Sequence, residues 1–272
     1  MNATTPDLAT VKERMKATWG AGDFGEVAKS IESHAEDFMS RHDIGPGRHV
    51  LDIACGTGNL ALPAARAGAS VVGIDLAGNL VEQARERAKA EGLEIRFDEG
   101  DAEALPYADA GFDLCVSMYG IMFAPRPEVA TTELLRVCRP GGTIALASWT
   151  PEGFIGRMLK VVSAHVPPPP GVSSPLLWGQ AEAVRERLGD GVSALAMQRV
   201  PVWFDYPFPP ADTVDFYRRY YGPILRAFDT LSDEHAEALE HDLVTLWSEH
   251  NTADDGTTRV EAEYLEVVAT RA

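Results

Sequence analysis

The chain is predicted to fold as an α/β domain, a mostly parallel sheet wound on both faces by helices. Three observations carry that expectation. The stretch HVLDIACGTGNLALPAARAGASVVGID at 49–75 reads as an apolar strand, a glycine turn, a helix and a second strand ending in an acid. From there to about residue 150, short apolar runs alternate with helically spaced segments. Near its end, Arg139-Pro140-Gly141-Gly142 stops one such helix just before another strand-like run.

Residues 1–48 are expected to be a helical cap. Val11, Met15 and Trp19 recur at i, i+4 and i+8, and Phe24, Val27, Ile31, His34 and Phe38 keep helical spacing. Residues 49–150 should form the core, with strands near 50–54, 71–75, 94–97, 112–117 and 143–149. Helices are expected there near 59–67, 77–91 and 126–138. Residues 151–272 are less regular. Pro167 to Pro170 form a stiff spacer, and helical patterns follow near 176–188, 210–228 and 231–250. Strand-like runs lie at 200–204 and 263–268, which makes the helices between them an insertion.

The glycine turn admits two readings. Gly56-Thr57-Gly58-Asn59-Leu60-Ala61 fits the G-x-G-x-x-A dinucleotide fingerprint, with Asp75 at the distance of a ribose partner. That match suits a nicotinamide-dependent oxidoreductase. Asp52 speaks against it: a carboxylate ending the first strand and facing the same cradle would repel a pyrophosphate. The same carboxylate suits a ligand with a cationic ammonium and no phosphate, which describes S-adenosylmethionine. A tight turn that binds nothing is the bland alternative, and Asn59 is expected to cap the helix that follows.

The segment D-I-A-C-G-T-G-N at 52–59 resembles the first motif of class I S-adenosylmethionine-dependent methyltransferases. Later segments match in order: G-I-D-L at 73–76, G-D-A-E-A-L-P-Y at 100–107, G-F-D-L at 111–114 and E-L-L-R-V-C-R-P-G-G-T-I-A-L at 133–146. Residues 49–150 are thereby similar to the small-molecule, ubiquinone/menaquinone methyltransferase-like group. Ala54 stands where the commonest motif has glycine, a change small enough to be benign. The resemblance implies a Rossmann-like, doubly wound, seven-stranded sheet completed by the two late strands. It also implies a cofactor site. Asp52 would take the methionine amino group, and Gly56 and Gly58 would give room to the ligand, with Ala54 and Asn59 beside them. Asp75 would hold both ribose hydroxyls and Leu76 would lie on adenine. Asp101 and Ala102 would meet the adenine edge, and Ser117 and Met118 end the fourth strand where ligands collect. S-adenosylhomocysteine would be the product.

Methyl transfer from a sulfonium asks mainly for positioning of the acceptor. Tyr119, next to the fourth strand, is the best-placed polar side chain, and His34 is a weaker candidate for a base. Met122 and Phe123 would line an apolar acceptor pocket. Tyr217, Tyr220 and Tyr221, in the aromatic stretch of the insertion, would close over the acceptor opposite Trp19 and Phe24. A module that binds the cofactor without turnover is the other alternative.

Composition narrows the partners. A net charge of −17 without a basic stripe disfavours nucleic acid and anionic membranes. The N-terminus lacks a secretory pattern, and no run of about 18 apolar residues is present to span a bilayer. Cys55, Cys115 and Cys138 show no paired spacing, which suits reduced thiols in a cytoplasmic protein and no bound metal. The expected partner is a small-molecule acceptor.

Overall fold

The computed structural model describes residues 7–272; residues 1–6, the start of the expected cap, lie outside them. Three short helices come first, α1 (Leu8–Trp19), α2 (Phe24–Lys29) and α3 (Glu32–Ser40). The helical spacing read across Phe24 to Phe38 therefore covers two helices. The break falls at Ser30, whose hydroxyl donates to the Val27 carbonyl at 2.7 Å and closes α2.

The core follows as β1 (His49–Ile53), α4 (Ala61–Arg66), β2 (Ser70–Asp75), α5 (Gly78–Ala90), β3 (Arg96–Glu99), β4 (Phe112–Met118), α6 (Pro127–Val137) and β5 (Cys138–Trp149). The chain then runs through α7 (Phe154–His165) and α8 (Ala181–Leu188) to β6 (Val192–Tyr206). The insertion is α9 (Pro210–Tyr220), α10 (Gly222–Thr230) and α11 (Asp233–His250), after which β7 (Thr258–Arg271) ends the fold. The sequence predicts no helix at α7, because Gly156 interrupts its pattern and Gly153 stands at its start. A Cβ on Gly156 would stand 2.1 Å from the Thr150 carbonyl, so the helix can leave β5 only with glycine there.

The seven strands form one sheet in the order β3-β2-β1-β4-β5-β7-β6. The first five are parallel, and β7 runs antiparallel between β5 and β6. The fold is thus the Rossmann-like, mostly parallel sheet with N-terminal helices and a helical insertion before the last strand. β6 and β7 are much longer than the apolar runs that announced them, because they pair with each other from Val192↔Arg271 to Tyr206↔Thr258. β5 starts earlier than expected. Its Arg139–Gly142 stretch bulges between the pairs Phe112↔Cys138 and Leu114↔Thr143, with Gly141 at φ 72°. Strand order reverses between β1 and β4, and the carboxyl ends of those strands are where such sheets bind ligands.

Candidate active site

Each element of the cradle is held by its own chain before any ligand is considered. Asp52 ends β1 fully buried, and its carboxylate accepts from the Ala61 amide at 3.1 Å, so it caps α4. Asn59 does not. Its amide donates to the Ala28 carbonyl at 2.9 Å and its oxygen accepts from Arg87 at 2.6 Å. Arg87 also reaches the Thr57 carbonyl at 2.9 Å and Glu32 at 2.7 Å, bracing the glycine loop from α5. Asp75 accepts from Gly56 N–H and Ala77 N–H, both at 2.8 Å, and so ties the loop after β1 to the loop after β2. Burial pushes the Asp52 carboxyl up to about 8, with the Asp75 charge adding to the rise, and raises Asp75 as well.

These residues line a cavity of about 1040 Å³ of atom-free space, mouth included, in the size class of small-molecule sites. Asp52, Ala54, Gly56, Asn59, Asp75, Leu76, Asp101, Ala102 and Met118 lie on its wall. Lys12, Met15 and Trp19 of α1, with Phe24 of α2 and Ile31, supply its roof. Trp19 meets Phe123 edge-on at 4.8 Å and Phe24 at 5.8 Å between ring centroids, which makes a continuous aromatic wall. Ala54 and Tyr119 adopt φ 55° and 56°, left-handed values that L-residues avoid. Gly120 seats one against the other; a Cβ there would lie 2.6 Å from the Ala54 carbonyl. The glycine common at position 54 of the motif thus answers backbone shape, and Ala54 carries strain.

A methyltransferase-domain family model matches residues 50–142. An uncharacterised protein of Mycobacterium tuberculosis is 39% identical over 268 residues, 96% of this chain and 95% of that one. The demethylmenaquinone methyltransferase of Thermus thermophilus is 40% identical over 125 residues, 44% of this chain and 57% of its own. The chain belongs to the class I S-adenosylmethionine-dependent methyltransferases. In fold it is similar to the YcgJ protein of Bacillus subtilis, with a TM-score of 0.61, 18% identity and coverage of 88% of this chain and 98% of that one. The phosphoethanolamine N-methyltransferase 2 of Haemonchus contortus, solved with S-adenosylhomocysteine, has a TM-score of 0.56 and 18% identity, covering 88% of this chain and 52% of that one.

Several residues expected at the methyltransferase site are turned away from the cavity. Gly58, at φ 86°, would put a Cβ 2.7 Å from Leu62 and 3.3 Å from Phe97, so it makes room for core packing and none for a ligand. Ser117 is fully buried, donating to the Ile53 carbonyl at 2.6 Å and accepting from Ile121 N–H at 2.9 Å, so it stitches β4 to β1. Met122 is buried beneath the loop. His34 is neutral and structural: its Nε2 donates to the Trp203 carbonyl at 3.0 Å, Nδ1 is buried without a partner, and desolvation lowers its pKa. Tyr119 lines the cavity, but its ring stacks on Trp149 at 3.7 Å and its hydroxyl is buried without a partner. Burial pushes that phenol well above its ordinary value, which removes it as a base. Tyr217 bonds Tyr206 at the end of β6 at 2.9 Å, and Tyr220 packs on Phe216. Tyr221 stands behind the wall at 5.8 Å from Trp19.

Lys12, Met15 and Ile31 were not singled out for the site. In the sequence Met15 is marked only by its helical spacing with Val11 and Trp19, and that periodicity places Lys12 one residue from Val11 with no mark of what it would face. Among the described residues no group of three or more His, Cys, Asp or Glu side chains is placed to hold a metal ion, and no helix is long and apolar enough to cross a membrane.

Proposed function

We propose that this methyltransferase binds S-adenosylmethionine along Asp52, Asp75 and Asp101 and moves its methyl group to a small, apolar or aromatic acceptor. The observation that supports it most is one cavity with an acidic floor at the ends of β1 and β2 and an aromatic roof from α1 and α2. The residues fit the cofactor on their own chemistry. Asp52 is a buried carboxylate without a cationic partner, the setting that an ammonium group relieves. Asp75 uses one lone pair of each oxygen on backbone amides and keeps others for hydroxyl donors. A pyrophosphate would meet three carboxylates, which weighs against the oxidoreductase alternative.

The bound cofactor supplies a methyl group on a positively charged sulfur. The protein's share is to orient and to exclude water: Trp19, Phe24 and Phe123 form the face against which an apolar acceptor lies. Among the described residues the cavity offers no free base at that face. The Cys55 thiol and the Tyr119 phenol are both pushed up by burial and hold their protons. Acceptors that arrive ionised, or that release a proton to water, suit such a wall. The three buried free thiols suit a reducing compartment such as the cytoplasm.

Thermal unfolding with S-adenosylmethionine, S-adenosylhomocysteine, NAD and NADP tests the assignment, since binding to the folded state raises the midpoint. A rise with the two sulfur nucleosides alone is expected, and a rise with NAD or NADP instead would return the oxidoreductase. Asp75→Ala should weaken S-adenosylhomocysteine by roughly 1.5–3 kcal/mol, the range for a lost charged acceptor. Unchanged affinity measured by calorimetry would remove Asp75 from the site. An acceptor screen with labelled methyl groups then separates turnover from binding alone.

A further inference from the structure

Lys12 is the one basic side chain on the cavity wall among the described residues. Its ammonium lies 2.5 Å from Asp101 and 2.6 Å from Glu103. Glu103 is wholly buried and also accepts from Arg126 Nε at 2.8 Å and from Arg126 N–H at 2.6 Å. Asp101 has its other oxygen committed to the Glu103 amide at 2.8 Å. Asp101 and Glu103 from the loop after β3, Arg126 at the start of α6 and Lys12 from the roof thus form a neutral cluster of two acids and two bases. The remaining polar ties between α1 and the core are exposed, Lys16 with Glu99 and Asn79 with the Gly20 carbonyl. With a side chain 19% exposed, Lys12 makes the most sheltered of them.

We propose that Lys12 is a positioning residue of the cofactor site, resting on the cofactor assignment above. It fixes the direction of the Asp101 carboxylate and clasps α1 shut across the nucleoside end of the cavity. A ligand donor that takes up Asp101 leaves Lys12 its second partner, Glu103, so the roof stays closed over bound ligand. Release requires the clasp to open.

The test uses S-adenosylhomocysteine and the full chain, with dissociation followed by surface plasmon resonance at low and high salt. Lys12→Met keeps the length and removes the charge. It should release the ligand roughly fivefold faster or more, the lower end of coupling between two sites, and its rate should depend less on salt than that of wild type, the remainder coming from Lys16 with Glu99. Lys12→Arg, still able to span both acids, should restore slow release. Amides of Leu8–Trp19 in the liganded Lys12→Met protein should exchange faster with solvent, while those of α5 stay unchanged. A wild-type dissociation rate in Lys12→Met overturns the proposal, and so does a faster rate that keeps the wild-type salt dependence. If Lys12→Met does not fold, Lys12→Gln takes its place in the same measurements, and a wild-type dissociation rate there overturns the proposal. Wild-type protein that fails to bind S-adenosylhomocysteine at all would instead remove the cofactor assignment beneath it.

Discussion

At the proposed cofactor site Asp52 would serve two states. Without a ligand it is buried with one amide partner, and its carboxyl is pushed up to about 8 by desolvation. A ligand ammonium pairs with the ionised form, so binding below pH 8 must expel a proton. Affinity for S-adenosylhomocysteine should therefore fall as pH drops from 8 toward 6, by up to about tenfold per unit. Calorimetry in buffers of different ionisation enthalpy should show close to one proton released, and Asp52→Asn should release none. The stability of the free protein runs the opposite way. A pKa raised on folding gives stability that is full below the unfolded value of about 3.9 and is lost as pH climbs through the folded one. Free Asp52→Asn should accordingly unfold at a higher temperature than wild type at pH 8, while wild type closes the gap in acid. Asp52 was legible because a carboxylate closing an apolar strand has few innocent explanations. Ser117 and Gly58 were not: whether a small residue faces ligand or core depends on partners far along the chain, Ile53 for one and Leu62 with Phe97 for the other.

At the level of elements, the glycine loop is a packing device whatever it binds. Gly58 lets α4 and α5 press onto β3, and Gly58→Ala should cost about 2–4 kcal/mol from left-handed strain and overpacking combined. Denaturant titration checks the loss. Any residual folded protein should bind S-adenosylhomocysteine with near-normal affinity, because the added methyl points into the core. Loss of binding with unchanged stability would reverse that assignment. The parallel strands and their helices could be read from the chain because fully buried strands are continuous apolar runs bounded by turn residues. β6 could not be read to its full length. It is an edge strand with one exposed face, and Ser193 to Arg199 carry no clean alternation. Lys12 escaped for a related reason: a lysine on an amphipathic helix ordinarily faces water, and only the docking of α1 onto the loop after β3 shows otherwise.

Taken as a whole molecule, the sheet is not complete at residue 150. β5 pairs with β7 from Thr143↔Thr270 to Trp149↔Tyr264, so the last strand covers what would be a bare, apolar edge. A fragment ending after β5 should be insoluble or oligomeric, and size-exclusion chromatography of residues 1–150 checks this; a well-behaved monomer would make the late strands dispensable. The insertion touches the site only at one remove. Its α9–α10 corner bridges Gly22 through Tyr221, and Asp23 N–H donates to the Tyr220 carbonyl at 3.2 Å. A Cβ on Gly222 would stand 2.0 Å from the Thr18 carbonyl, so the corner and the roof are fitted backbone to backbone.

The insertion leaves and rejoins the sheet from directly opposed positions, Tyr206 and Thr258. Everything between them is a cassette with a single doorway. A gene-level exchange of that cassette between paralogues would leave the nucleoside cradle untouched and change what leans on Trp19 from behind, provided the new cassette still fits Phe154 and His165 of α7. Diversification of such a protein can proceed by trading roofs while the floor is inherited intact.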